Sequence, residues 1–141
     1  MNDICLAKTD DEILSCYDVM VQLRPTYNHE TFLLQVKKLM LDKYQLVYFK
    51  SNNIICATAG FRYSENLAWG KFLYVDDLVT ASTQRSKGCG KLLLDWLMEQ
   101  AKLNNCVGLH LDSGVQRIDA HRFYCRENMA HTSHHFAIEF D

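Results

Sequence analysis

Residues 84–91, Gln84-Arg85-Ser86-Lys87-Gly88-Cys89-Gly90-Lys91, join an apolar run that ends near Thr80 to another that starts near Leu92. Three cations and two glycines thus stand where a strand hands over to a helix. The first turn of a helix leaves backbone N–H groups unpaired and carries the positive end of the macrodipole. Glycines let a ligand's oxygen atoms approach that backbone closely, and the combination suits a pyrophosphate. Cations beside a helix start disfavour the helix itself, so Arg85, Lys87 and Lys91 point to an anionic ligand more than to stability.

Two familiar phosphate loops are excluded. A Walker A loop needs G-x-x-x-x-G-K-[ST], but only Cys89 separates Gly88 from Gly90, and Leu92 follows Lys91 where a metal-binding hydroxyl would stand. The dinucleotide fingerprint G-x-G-x-x-G begins at Gly88 and Gly90 but meets Leu93 at its third glycine. What remains is R-x-x-G-x-G at a strand-loop-helix junction.

A second block lies downstream. Leu109-His110-Leu111-Asp112-Ser113 reads as a strand, and Asp119 to Glu127 reads as a short helix with Ala120, Phe123 and Tyr124 on one face. Together, R-x-x-G-x-G and A-x-x-F-Y resemble the GNAT superfamily of N-acetyltransferases in order and spacing. Residues 120–129 (AHRFYCRENM) are similar to a bacterial subgroup that includes aminoalkylphosphonate N-acetyltransferases.

The resemblance implies acetyl-CoA as acyl donor, its pyrophosphate held by Arg85, Ser86, Lys87, Gly88, Cys89, Gly90 and Lys91. It also implies that backbone groups at Leu78, Val79 and Thr80 pair with the pantetheine arm and polarise the thioester, and that Ala120 and Phe123 contact CoA. Arg117 stands where the superfamily often has asparagine, three residues before that alanine. An arginine there would add a phosphate contact or lie in solvent. Tyr124 occupies the family's general-acid position. A phenol (~10) is a weaker acid than a thiol (~8.5), so a hydrogen bond to the departing thiolate is the safer role than full proton transfer.

Acetyl transfer to an amine also needs a group that takes the ammonium proton. Asp76 and Asp77 are the candidate bases. Strict alternation sends them to opposite faces, Asp77 with Leu73, Val75 and Val79 and Asp76 with Tyr74 and Leu78, unless a β-bulge rotates one of them. The plainer alternative is a carboxylate paired with Lys71 or Arg62. Arg24, Arg62 and Tyr63 fall where the family shapes its acceptor pocket, and an arginine pair would favour an acceptor carrying phosphonate or carboxylate. The expected activity is transfer of acetyl from acetyl-CoA to a primary amine of a small, anionic metabolite by direct attack in a ternary complex. The alternatives are a protein lysine or N-terminal acetyltransferase, or a non-catalytic acyl-CoA-binding module. A homodimer is a family-level expectation.

The elements that must position these residues follow from periodicity. Ile4–Ala7 predicts a strand, and Thr9 with Glu12 predicts a capping box for a helix that turns Ile13, Leu14, Tyr17, Val21 and Leu23 inward and ends by Pro25. Asn28 or Thr31 caps a second helix bearing Phe32, Leu33, Val36, Leu39 and Met40. Strands over Tyr44–Lys50, Ile54–Arg62 and Lys71–Thr80 follow, with turns at Ser51-Asn52-Asn53 and Ser64-Glu65-Asn66. A helix over Lys91–Lys102, a strand over Val107–Asp112, the A-x-x-F-Y helix and a last strand over His134–Phe140 complete the chain. The fold class is α/β (α+β): a mixed central sheet flanked by helices in three layers.

Composition bounds the rest. With 141 residues, 48% hydrophobic content and one proline, a single domain over residues 1–141 is expected. A net charge of −2 offers no global attraction to nucleic acid or an anionic membrane. Cysteines 5, 16, 56, 89, 106 and 125 form no C-x-x-C pair and read as reduced thiols. With no apolar leader and no apolar run of ~20 residues, a cytoplasmic location is expected. His121 and Cys125 lie i, i+4 on a helix, with His131, His134 and His135 following, but no recognised metal signature is complete and no tightly bound metal is expected.

Overall fold

Thr9 starts the first helix as its spacing to Glu12 predicts. Its hydroxyl accepts from the Glu12 amide at 3.2 Å, and the Glu12 carboxylate accepts from the Thr9 amide at 3.0 Å. The box satisfies two donors that a helix start leaves orphaned. Those bonds, the Thr9 amide first and the Lys8 amide second, hold the Glu12 carboxyl below its usual range.

The computed structural model describes residues 2–85, 87–114 and 116–140. Two units divide the chain, Met1–His110 and Leu111–Asp141. The elements in order are β1 (Asn2–Leu6), α1 (Asp10–Ser15), α2 (Tyr17–Met20), α3 (His29–Leu41), β2 (Gln45–Ser51), β3 (Ile54–Asn66), β4 (Gly70–Thr80), α4 (Cys89–Leu103), β5 (Gly108–Leu111) and α5 (Ile118–Arg126). The sheet runs β1-β2-β3-β4-β5, antiparallel from β1 to β4, with α4 carrying the chain from β4 to its neighbour β5. This is the mixed α/β sheet flanked by helices that the element order predicts.

Alternation along β2 explains the layers. Leu46 and Tyr48 join Ile13, Cys16, Val19, Met20, Phe32, Val36 and Val79 in the core beneath α1 to α3. Val47 and Phe49 are also buried and belong to the opposite face, where α4 brings Leu93, Leu94 and Leu97 and sets Trp96 edge-on to Phe61, ring centroids 5.9 Å apart.

Several boundaries differ from expectation. The first helix breaks at Cys16, which ends α1 and starts α2. The break shifts the helical phase, so Cys16, Val19 and Met20 are buried with Ile13, while Leu14, Tyr17, Val21 and Leu23 are half-buried. Asn28 caps α3 and Thr31 answers it, each side chain accepting from the other's amide. The β2–β3 turn falls at Asn52 and Asn53, both left-handed with φ 52° and 63°. The next turn does not fall at Ser64-Glu65-Asn66, because β3 continues through Asn66 and the chain reverses over Leu67–Trp69. Backbone pairing in an exposed hairpin needs no apolar side chains, so a polar triplet there does not mark the reversal.

In the second unit, α5 matches the A-x-x-F-Y helix, but His134–Phe140 forms no strand. Phe136, Ile138 and Phe140 are 89%, 83% and 91% exposed, and without a partner's ladder an alternating pattern alone does not make a strand. Among the described residues no helix is long and apolar enough to cross a membrane, and all six cysteines are free.

Candidate active site

Between β3 and β4 the register slips by one residue: Gly60 faces Asp77 while Phe61 faces Val75, leaving Asp76 as the extra residue of a β-bulge. Gly60 and Phe61 point to opposite faces, so their partners Asp77 and Val75 do too. Strict alternation would have kept Asp77 with Leu73 and Val75; the bulge breaks that phase and leaves Asp77 with Val79 on the α1–α3 side.

Each carboxylate meets its own partners. The Arg24 Nε donates to Asp77 Oδ1 at 2.8 Å and its Nη2 donates to the Asp76 carbonyl at 3.0 Å. The Tyr44 hydroxyl donates to Asp77 Oδ2 at 2.8 Å. Arg62 Nε donates to Asp76 Oδ2 at 2.9 Å, and Nη1 lies 3.7 Å from Asp42. The same guanidinium sits over the Tyr44 ring at 5.6 Å from its centroid.

The two carboxylates differ in their free valence. Asp77 has a donor on each oxygen, whereas Asp76 has one on Oδ2 and none on Oδ1 among the described residues. Removal from water pushes the Asp76 carboxyl above its ordinary value, with the Arg62 pairing opposing that shift. Burial, reinforced by the Asp77 charge, pushes the Tyr44 phenol well above 10, so it stays a donor.

Arg62 also borders an open cleft of about 520 Å³, lined by Asp42, Lys43, Tyr63, Glu65 and Lys71. Tyr63 lines this cleft together with Arg62, while its ring packs edge-on to Phe61 and its hydroxyl accepts from Asn104 Nδ2 at 3.0 Å. Arg24 and Arg62, the arginine pair expected to favour an anionic acceptor, are each engaged by a bulge carboxylate. Of the two partners considered for a β4 carboxylate, Lys71 or Arg62, it is Arg62 that takes Asp76.

At the other end of β4, Leu78, Val79 and Thr80 pair with Ala59, Thr58 and Ala57. A single 3₁₀ turn at Ser82–Gln84 leads to Gly88, the cap of α4, in the left-handed region at φ 80° with open space where a Cβ would stand. The first intrahelical bond runs from the Leu92 amide to the Gly88 carbonyl at 3.0 Å, so the amides of Cys89, Gly90 and Lys91 precede it. Arg85 and Lys87 are exposed; Lys91 reaches Asp95 at 3.2 Å along the helix. Cys89 packs inward, its thiol pushed up by burial. Ser86 lies outside the described residues.

In the second unit, Arg117 is exposed and caps α5, on which Ala120, Phe123 and Tyr124 are half-buried. Burial pushes the Tyr124 phenol above 10, and Arg117 opposes the shift, so at neutral pH the group keeps its proton. His121 Nε2 lies 2.8 Å from the Gly114 carbonyl. Among the described residues no three His, Cys, Asp or Glu side chains gather to hold a metal.

The model of the acetyltransferase (GNAT) family matches residues 8–128. The chain belongs to this family. As a GNAT acetyltransferase it is an acetyl-CoA-dependent acyltransferase. It is 36% identical over 115 residues to the uncharacterized N-acetyltransferase YhdJ of Bacillus subtilis (strain 168), covering 81% of each chain. It is 31% identical over 96 residues to streptothricin acetyltransferase A of the same organism, 68% of this chain and 49% of that one. Among solved structures, the aminoglycoside N-acetyltransferase AAC(6')-Iy in complex with CoA superposes with a TM-score of 0.87 at 10% identity, covering 99% of this GNAT chain and 95% of the other. Glucosamine-6-phosphate N-acetyltransferase from Arabidopsis thaliana superposes with a TM-score of 0.79 at 21% identity, over 100% and 99% of the two chains.

Sequence reasoning missed Tyr44 and Gly60 as parts of this site. One signal was present: a glycine inside an apolar strand run marks a bulge or a close approach.

Proposed function

We propose that this acetyltransferase acetylates the primary amine of a small metabolite by direct attack in a ternary complex, with Asp76 as the proton acceptor. The β4 bulge carries this reading, because it leaves Asp76 with an open oxygen and a raised affinity for a proton, while Asp77 is occupied on both sides. The ammonium gives its proton to Asp76, directly or through water, and the neutral nitrogen attacks the thioester carbonyl. The N–C bond forms, the C–S bond breaks, and CoA leaves as a thiolate that takes up the second proton, which the nitrogen sheds as it becomes an amide. Tyr124 donates a hydrogen bond to that thiolate, a role that rests on the A-x-x-F-Y motif and on a phenol that keeps its proton.

The pyrophosphate is assigned to the α4 start, where Arg85 and Lys87 add charge to the leading amides. Acceptor recognition is assigned to the cleft beside Arg62. Because Arg24 and Arg62 are already paired, an anionic acceptor of the aminoalkylphosphonate kind would rely on Lys43 and Lys71. Six free thiols suit a reducing compartment, the cytoplasm.

Calorimetric titration with acetyl-CoA tests the reading. Binding to the wild type that collapses in Arg85→Ala/Lys87→Ala establishes the donor site and opens an acceptor screen beginning with aminoalkylphosphonates. No heat at millimolar acetyl-CoA would sink it.

A further inference from the structure

Tyr44 is a buried polar side chain that the transfer chemistry does not use. It stands immediately before β2 and is 5% exposed, yet its hydroxyl ends on a β4 carboxylate with β3 lying between the two strands. It crosses β3 at Gly60, where a Cβ would overlap the phenol oxygen and ring. Gly60 is outside the left-handed region, so space and not backbone conformation demands glycine there. A mid-strand glycine weakens a strand, and the Tyr44 crossing supplies the reason for keeping one.

What Tyr44 reaches is the bulge. Its hydroxyl and Arg24 take the two oxygens of Asp77, and Arg24 also binds the carbonyl of Asp76, the extra residue. Side chain and backbone of consecutive residues are thereby tied to the β2 start and to the segment after α2. We infer that Tyr44 is a positioning residue, which acts through Asp77 and Arg24 to hold the β4 bulge in the shape that presents Asp76 to the acceptor amine. The inference rests on the assignment of proton transfer to Asp76.

Amide hydrogen exchange and carboxyl ¹³C titration of the full chain test it, in the wild type, Tyr44→Phe, Asp77→Asn and the double variant. Tyr44→Phe is expected to speed exchange at Asp77, Leu78 and Val79 about tenfold, the effect of one lost hydrogen bond to a charged group, with Val47 and Phe49 unchanged. Asp76 owes its raised pKa first to lost hydration, so a loosened bulge admits water and its titration midpoint moves down. In the Asp77→Asn background, Tyr44→Phe is expected to add nothing further. Arg24→Gln, at an exposed side chain, provides a second variant with the same local exchange signature, while loss of a charge that lowers the Asp76 carboxyl pushes its titration the other way. Unmoved exchange and titration, additive effects in the double variant, or uniform acceleration across the sheet would each overturn the inference. These readouts need no turnover, so failure of acetyl-CoA binding in calorimetry is a separate result that bears on the transfer reading itself.

Discussion

At Asp76, one oxygen is held by Arg62 Nε while the other meets no donor among the described residues, and partial burial makes the charged form costly. A carboxylate in that condition accepts a proton more readily than one with donors on both oxygens. With Asp76 as the proposed base, catalysis needs it ionised, so kcat/KM is expected to fall as pH drops through its folded pKa, which burial holds above the ordinary carboxylate value. Asp76→Asn should remove that acid limb and lower kcat about 10² to 10⁴-fold, measured as a pH–rate profile. Tyr124→Phe removes the donor proposed for the departing thiolate; kcat is expected to fall about 10²-fold with the KM for acetyl-CoA little changed. The candidate carboxylates, their possible partner Arg62 and the tyrosine were readable as residue types at particular spacings. Which carboxylate keeps an open oxygen was not, because that depends on Arg24 and Tyr44, 53 and 33 residues away from Asp77 in the chain.

Among the elements, helix starts were legible where a side chain closes a local ring, as at Thr9 with Glu12 and Asn28 with Thr31. Helix ends and strand ends were less so. The α3 end shows why: Lys43 adopts a left-handed conformation, φ 72°, where glycine is the usual residue, and nothing in its type announces this. Lys43→Gly is expected to stabilise the fold by roughly 0.5–1 kcal/mol in urea denaturation by relieving that strain, and to weaken any anionic acceptor held by the cleft. Gly88 is the converse. Its φ of 80° meets open space, so Gly88→Ala should cost about 1 kcal/mol of stability from backbone strain alone and weaken acetyl-CoA binding in calorimetry.

At the scale of the whole molecule, Leu93, Leu94 and Leu97 of α4 are fully buried in the layer opposite α1 to α3. The helix that begins at the proposed pyrophosphate site is thus the one that seals that face of the sheet. Leu97→Ala is expected to destabilise by about 2–5 kcal/mol in denaturant unfolding, and acetyl-CoA at a hundred times its Kd should return about 2.7 kcal/mol. The sequence by itself determined the order of elements from β1 to α5, apart from the break at Cys16, together with the glycine-bearing helix start and the A-x-x-F-Y helix, since caps, turns and periodicity act over a few residues. It also determined the family, through motifs whose spacing is covalent. Tertiary structure alone decided the bulge that turns Asp77 away from Val75, the crossing of Tyr44 over Gly60, and the absence of a strand at His134–Phe140. Each of these depends on which strand lies alongside and in what register, and hydrogen-bond pairing between distant segments is a property that no local run of side chains encodes.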